Sequence, residues 1–240
     1  MLLVESCEGV CVVTLDRPTK GNALDDALVE ALFEAIDGAV TDEETHTLVI
    51  AANGRNFCTG FDLSDLAEQS DGDLLRRFVA VEELLASLWH APIRTVALAG
   101  GRAWGAGADL FTCCDQRMAA PDATFTFPGA RFGLVLGTRR LANVVGDTAA
   151  LQTVGQGLVL DAAAAQAKGL ATGLLPEAFD VIAWLESELP PLAIDRTTYA
   201  ELKSAMRADR RDEDLAALVR SAAWPGLKER IEAYRASARR

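Results

Sequence analysis

A chain of 240 residues, half of them hydrophobic, is long enough to form one large domain with a substantial core. Its 35 acidic and 23 basic residues give a net charge of -12, which opposes binding to nucleic acids and to anionic membrane surfaces. No stretch is apolar for long enough to span a bilayer, and the first ten residues carry no basic leader or cleavage site, so we expect a cytoplasmic protein.

The first half of the chain alternates strand-like and helix-like segments. Runs rich in β-forming residues occur at 9–18, 46–52 and 93–100. Helical spacing of apolar residues occurs between them, at 25–40 and 72–90. This order predicts an α/β layered core.

After about residue 185 the chain is charged, helical in period and without strand signals. We therefore expect a core over residues 1–185 and a helical region over 186–240, which follows a turn at Pro190-Pro191. The apolar stripe of this region is expected to pack on the core or on another subunit, which predicts self-association. The stripe consists of Leu202, Ala205, Met206, Leu215, Leu218, Val219, Leu227, Ile231 and Tyr234.

The reactive residue types exclude several common enzyme plans. Five cysteines at irregular spacing do not suggest a disulfide framework, and His46 and His90 have no second ligand at metal-binding spacing. The G-x-S-x-G nucleophile motif and the G-x-x-x-x-G-K-[ST] phosphate loop do not occur. We therefore expect no metal site and no Ser-His-Asp triad.

Two glycine turns each follow a buried strand and are expected to enter a short helix: R-N-F-C-T-G-F-D-L at 55–63 and G-G-R-A-W-G-A-G-A-D-L at 100–110. Backbone N–H groups at such turns can bind an anion, and two turns brought together could stabilise an enolate or tetrahedral oxyanion. A dinucleotide site is not predicted, because Leu110 occupies the place of the third glycine of G-x-G-x-x-G. Glycines that serve only close packing of a helix on a strand are the structural alternative.

Several motifs, in the right order, resemble those of the enoyl-CoA hydratase/isomerase (crotonase) family. They are L-D-R-P-T-K-G-N-A-L at 15–24, F-C-T-G-F-D-L at 57–63, the glycine-rich run at 91–120, the segment with G-T-R-R-L at 132–146, and A-A-A-A-Q-A-K-G-L-A-T-G-L-L at 162–175. The resemblance implies an α/β fold, a crotonase-like spiral of repeated ββα units with a C-terminal helical region. It also implies assembly into a homotrimer or hexamer.

The resemblance further implies an acyl-CoA thioester as substrate, with coenzyme A as part of it and no permanently bound cofactor. The backbone N–H groups of Phe61 and Ala106 would form an oxyanion hole for the thioester carbonyl. Arg17, Lys20 and Arg55 are the nearest basic residues for the polyanionic carrier. The residues expected to bind the substrate or coenzyme A are Arg17, Lys20, Ala23, Cys58, Gly60, Asp62, Leu63 and Ser64.

The catalytic carboxylates depart from the family's pattern. Hydratases of the family use two Glu side chains, which align here with Asp109 and with Gly129, a residue without a side chain. We expect Asp109 to move the proton in an isomerase- or hydratase-like reaction of fatty acid metabolism; as a first-turn helix carboxylate, it would instead only satisfy nearby N–H groups. The alternatives are decarboxylation of a malonyl-type thioester, with Arg131 orienting the leaving carboxylate, and an acyl-CoA-binding member that has lost its chemistry.

Overall fold

Two β-sheets form the centre of the computed structural model, which describes residues 1–238. Their strands are β1 (Leu2–Cys7), β2 (Val10–Leu15), β3 (Thr47–Ala52), β4 (Arg94–Ala99), β5 (Arg102–Trp104), β6 (Gln116–Ala119), β7 (Thr124–Thr126), β8 (Leu160–Asp161) and β9 (Gly173–Leu174). The larger sheet has the order β1-β2-β3-β4-β6-β9, and the smaller one has the order β5-β7-β8. In the larger sheet β1 and β2 are antiparallel, and all other neighbours are parallel.

The helices pack around these sheets. They are α1 (Asp26–Thr41), α2 (Asp71–His90), α3 (Ala106–Cys113), α4 (Thr138–Val145), α5 (Asp147–Gly155), α6 (Ala162–Ala167), α7 (Val181–Glu188), α8 (Arg196–Met206), α9 (Arg211–Ala222) and α10 (Leu227–Ala238). Along the chain, one or two strands are followed by a helix in β1-β2-α1, β3-α2, β4-β5-α3 and β6-β7-α4. None of the helices within residues 1–238 is long and apolar enough to cross a membrane.

The predicted strands and helices of the first half are confirmed. Strands β3 and β4 are buried on both faces, which explains why they read as continuous apolar runs rather than alternating ones. Helix α1 begins where Asp25 accepts a hydrogen bond from the backbone N–H of Leu28 at 2.9 Å. Helix α2 begins with a capping box between Ser70 and Asp73. The cap and the apolar stripe together explain why these two helices were readable from sequence.

Helices α9 and α10 pack on the core of their own chain. Leu218, Leu227 and Ile231 are fully buried and form one cluster with Leu74 and Phe78 of α2. The apolar stripe was expected to pack either on the core or on another subunit. For α9 and α10 the structure shows packing on the core. Leu202 and Met206 of α8 remain largely exposed. Self-association therefore stays a prediction, as does the domain boundary at residue 185, which lies within α7.

A partly buried carboxylate fixes helix α8 to the large sheet. Asp115 accepts hydrogen bonds from the Lys203 ammonium at 2.9 Å and from the Tyr199 hydroxyl at 3.0 Å. It also pairs with Arg207 at 2.8 Å and accepts the backbone N–H of Thr95 of β4 at 2.8 Å. Because the carboxylate is surrounded by donors, its burial is compensated. The C-terminal helices are thus held by polar as well as apolar contacts.

Candidate active site

A cavity of about 150 Å³ lies where the two glycine turns meet. Phe61 of the first turn and Ala106 and Asp109 of the second turn line it, as does Gly129. Tyr234 of α10 closes another part of the wall. The structure therefore brings the first turn, the second turn and Gly129 together, although the sequence separates Phe61 from Gly129 by about seventy residues.

Backbone hydrogen bonds align the first turn with strand β5. The Cys58 N–H donates to the Arg102 carbonyl at 3.0 Å, and the Trp104 N–H donates to the Cys58 carbonyl at 2.9 Å. Gly60 has φ of +94°, and a Cβ on it would lie 2.6 Å from the Trp104 carbonyl oxygen and 3.4 Å from the Ala106 nitrogen. A glycine is required at position 60, since both the φ value and the close approach exclude a side chain.

The N–H groups of Phe61 and Ala106 donate to no acceptor in residues 1–238. On the first turn, the neighbouring groups are used: the Leu24 N–H donates to the Gly60 carbonyl at 2.8 Å, and the Asp62 N–H donates to the Leu24 carbonyl at 2.9 Å. Ala106 is the first residue of α3, where an N–H has no partner within the helix. Two donors with no acceptor thus belong to residues that line one cavity, an arrangement that can bind a developing oxyanion.

The first turn does not enter a helix, contrary to the expectation from sequence. Phe61 forms an isolated bridge to Leu24, and the next element is a single 3-10 turn at Leu66–Glu68. Asp62 caps no helix, and its carboxylate instead accepts hydrogen bonds from the Ser64 backbone at 2.9 Å and from Arg17 at 3.2 Å. Only the Ala106 donor therefore lies at the positive end of a helix dipole.

Helix α2 holds the aromatic ring of Phe61. The Phe61 and Phe78 rings stack at 4.2 Å between centroids, and the Arg77 guanidinium carbon lies 4.2 Å from the Phe61 centroid. Arg77 also donates to the Asp62 carbonyl at 3.0 Å and to Asp26 at 2.8 Å. Its contacts on both sides of the Phe61–Asp62 peptide orient the Phe61 backbone. Sequence reasoning missed Arg77, although a cation within the apolar stripe of α2 was a usable signal.

Asp109 is buried beside this pair of donors, with only 5% of its surface exposed. Its Oδ1 atom has no hydrogen-bond partner within residues 1–238, and a Cβ on Gly137 would lie 2.1 Å from that atom. Burial raises the pKa of Asp109 well above its ordinary value; Arg140 opposes the increase and Glu82 adds to it. Asp109 caps no N–H group of α3, so the purely structural role considered for it has no supporting contact.

A buried ion cluster stands behind Asp109. Arg140 of α4 is 1% exposed. Its two terminal guanidinium nitrogens, Nη1 and Nη2, both donate to the Glu82 carboxylate of α2, and the Nη1 bond is 3.1 Å long. Arg140 also approaches Asp214 of α9 at 3.4 Å. Gly137 and Arg140 are the glycine and arginine of the G-T-x-R-L motif. The motif thus places Gly137 against Asp109. It also places near Asp109 the Arg140 cation, whose charge is balanced by Glu82.

The residues expected at the coenzyme A channel divide into two groups. Gly60 and Leu63 line the cavity, while Lys20 and Ser64 are exposed and do not line it. Arg17 instead contacts Ala23 and Asp62, which holds the loop in place. The Arg17 guanidinium donates to the Ala23 carbonyl and pairs with Asp62 and Asp25. Hydrogen bonds from Ser64 and Arg17 lower the pKa of Asp62, although burial alone would raise it.

Cys58 is fully buried and does not line the cavity. Burial raises the pKa of its thiol to about 12, which keeps it protonated and poorly nucleophilic. Within residues 1–238, no group of three His, Cys, Asp or Glu side chains could hold a metal ion. Asp109 supplies the carboxyl group that lines the cavity beside the N–H donors.

Helix α10 supplies two residues that sequence reasoning did not connect with the site. Tyr234 lines the cavity, and Arg235 donates to the Leu63 carbonyl of the first turn at 3.0 Å. No local signal identifies them, because the charged helix pattern does not reveal which surface it covers. Arg131 is exposed and lies 5.1 Å from the Tyr234 ring rather than lining the cavity.

Comparisons with known proteins show similar chains of known name or structure. A solved structure from Bordetella parapertussis, assigned as an enoyl-CoA hydratase/isomerase, superposes with a TM-score of 0.89 at 43% identity and 97% coverage of both chains. A Mycobacterium tuberculosis protein named as a probable enoyl-CoA hydratase is 33% identical over 95% of this chain and 88% of its own. The 2,3-dehydroadipyl-CoA hydratase of Escherichia coli is 33% identical over 73% of this chain and 69% of its own.

The sequence pattern of the enoyl-CoA hydratase/isomerase family matches residues 5–223, which is nearly the whole chain. The expected crotonase-like α/β fold is confirmed by this match and by the superposition. The protein belongs to the enoyl-CoA hydratase/isomerase family.

Proposed function

We propose that this protein isomerises the double bond of an enoyl-CoA thioester. The observation that carries the proposal is one cavity lined by Asp109 and by the two residues whose N–H groups have no acceptor, Phe61 and Ala106. The thioester carbonyl would accept hydrogen bonds from both N–H groups. The relatives named as enoyl-CoA hydratases support a thioester substrate.

The reaction uses Asp109 twice. In the 3-enoyl to 2-enoyl direction, its carboxylate removes a proton from the α-carbon, and the electrons of the C–H bond move onto the carbonyl oxygen. The resulting dienolate is stabilised by Phe61 and Ala106, a contribution of about 3 kcal/mol for each donor. Asp109 then returns the proton to the γ-carbon, and the carbonyl re-forms. Burial raises the pKa of Asp109, which makes its carboxylate a stronger base than an exposed aspartate and so favours removal of a proton from carbon.

Gly129 argues against hydration by two carboxylates. Adding water across a double bond requires a group that activates and places the water, and Gly129 offers no side chain for this purpose. Decarboxylation has less support, because Arg131 does not line the cavity. Lys20 and Arg55, which are exposed and have no carboxylate partner within residues 1–238, are proposed to meet the phosphates of coenzyme A.

A panel of 2-enoyl-, 3-enoyl- and malonyl-type CoA thioesters in deuterated water tests this function. We expect interconversion of the 2- and 3-enoyl forms with deuterium at the α- and γ-carbons, measured by product mass. Loss of carbon dioxide from the malonyl thioester would instead support the decarboxylase. Tight calorimetric binding without turnover of any member of the panel would identify an acyl-CoA-binding protein without chemistry.

Gly129→Glu is expected to increase hydration of a 2-enoyl-CoA at least about tenfold, because it supplies the second carboxylate. The position has room: a Cβ there would lie 3.6 Å from the Leu134 carbonyl oxygen, an ordinary contact. Gly129→Gln is the matched control, with the same size but no ionisable group. Hydration is measured by the loss of the enoyl absorbance. Equal hydration rates in the two variants would show that the added carboxylate does not act on water.

A further inference from the structure

Aromatic rings form much of the cavity wall. The chain contains nine Phe, four Trp and two Tyr residues, and six of these line this one cavity. The six are Phe61, Phe78, Trp104, Phe127, Phe132 and Tyr234. A concentration of this kind is not needed to bury an aliphatic chain, for which Leu and Val suffice.

Four of the six rings form two contacting pairs, and the other two lie at or just after the ends of the paired strands β5 and β7. Phe61 and Phe78 stack with an interplanar angle of 23°, while Phe132 and Tyr234 are tilted at 48° with centroids 5.4 Å apart. Trp104 ends β5, and Phe127 follows Thr126 of β7, the register partner of Trp104. The lining rings thus come from separate parts of the fold, and a further ring could make stacked or edge-to-face contacts with them.

The volume of the cavity matches a single ring. An apolar cavity of about 150 Å³, the volume found here, is large enough to bind benzene in another protein. Gly129 contributes to this space, because it lines the cavity without a side chain. A compact acyl group is thus favoured over a long alkyl chain.

Tyr234 adds one polar group to this wall. Its hydroxyl makes no hydrogen bond to any residue of 1–238, and its ring is held by Phe132 on one side and approached by Arg131 at 5.1 Å. A hydroxyl without a protein partner, on a residue that lines the cavity, is available to a ligand that brings a hydrogen-bonding group. No residue of the proposed reaction uses it.

We propose that the acyl group handled at this site carries a phenyl ring, and that Tyr234 determines specificity by hydrogen bonding to a polar substituent on that ring. The proposal rests on the acyl-CoA function proposed above and narrows it to aryl-substituted acyl-CoA thioesters. It concerns recognition of the acyl group and leaves the roles of Phe61, Ala106 and Asp109 unchanged.

Calorimetric binding of phenylacetyl-CoA and cyclohexylacetyl-CoA tests the ring preference. The two ligands have nearly the same size, and the cyclohexyl group is the more hydrophobic. Burial of apolar surface alone therefore predicts equal or tighter binding of cyclohexylacetyl-CoA. We expect phenylacetyl-CoA to bind about 2- to 10-fold more tightly, because ring-to-ring contacts add to burial. Tyr234→Leu should reduce that ratio, while circular dichroism checks that the variant is folded.

The hydroxyl of Tyr234 is tested with 4-hydroxyphenylacetyl-CoA. We expect the wild type to bind it about 2- to 10-fold more tightly than phenylacetyl-CoA, and Tyr234→Phe to lose this gain while it keeps the phenyl preference. Equal or tighter binding of the cyclohexyl ligand would overturn the ring proposal, and an unchanged gain in Tyr234→Phe would overturn the role of Tyr234. Butyryl-CoA is the reference: if it binds and the phenyl ligands do not, only this inference fails, whereas no binding of any thioester removes the proposed function as well.

Discussion

Replacement of Asp109 by asparagine is expected to slow isomerisation and α-proton exchange by about 100- to 10,000-fold, the usual contribution of a positioned acid or base. Asparagine keeps the size of the side chain and removes the ionisable group. Binding of the thioester should persist, because the Phe61 and Ala106 donors are untouched. Deuterium uptake followed by mass spectrometry measures the effect.

Asp147→Asn is the matched control, since Asp147 is also an acidic residue in the first turn of a helix, but is exposed and does not line the cavity. The Asp147→Asn variant should catalyse exchange of the substrate's α-proton at the wild-type rate. Unchanged exchange in Asp109→Asn would remove Asp109 from the mechanism.

Asp109→Asn is also expected to have a pH-dependent effect on stability. Because the pKa of Asp109 is raised in the folded protein, both states hold the proton at low pH, and the unfolded chain releases it first as the pH rises. Wild-type stability therefore falls as the pH increases from about 4 toward the raised pKa, whereas asparagine does not titrate. We expect Asp109→Asn to gain in Tm relative to the wild type between pH 4 and pH 8. An identical Tm difference at both pH values would contradict the burial of this carboxyl.

Gly60→Ala is expected to lower the rate of the chemical step by about 100- to 1000-fold, the effect of losing one oxyanion donor. The added Cβ would lie 2.6 Å from the Trp104 carbonyl oxygen and 3.4 Å from the Ala106 nitrogen, so the two turns must move apart. The φ of +94° adds backbone strain. We expect the free energy of unfolding to fall by about 1–3 kcal/mol.

Gly38→Ala serves as the control for Gly60→Ala. Gly38 lies inside α1, and a Cβ there would meet nothing within 4 Å. This variant should be about 0.5–1 kcal/mol more stable, because alanine favours the helix, and it should keep full activity. Single-turnover kinetics and urea unfolding separate the two effects. A fully active Gly60→Ala would mean that the Phe61 N–H is not a donor to the substrate.

The long regular elements could be read from sequence because their signals are local. Helix α2 shows an apolar stripe with a capping box, and β4 shows an apolar run of strand length. The strands of the small sheet could not be read, because two or three residues are too few to show a period. Strand β1 was missed for another reason: most of its residues are exposed, so burial leaves no pattern in them.

The site was predictable where it depends on backbone and not where it depends on packing between distant segments. The glycines of the two turns indicated where N–H groups could be exposed, and motif order identified Asp109 and Gly129. The helix expected after Gly60 was wrong, because pairing of Phe61 with Leu24 keeps that segment extended. The places of Arg77 and Tyr234 depend on how α2 and α10 dock, which local sequence does not encode.

Tyr234 is the side chain that helix α10 contributes to the cavity, while the proposed donors, Phe61 and Ala106, belong to turns fixed by glycine geometry. The wall next to the acyl group and the backbone next to the carbonyl therefore have separate structural origins. Substitutions at Tyr234 can accumulate during divergence without a change in Gly60 or Ala106. Descendants of one ancestral chain could in this way acquire new substrates while they inherit the same means of stabilising an enolate.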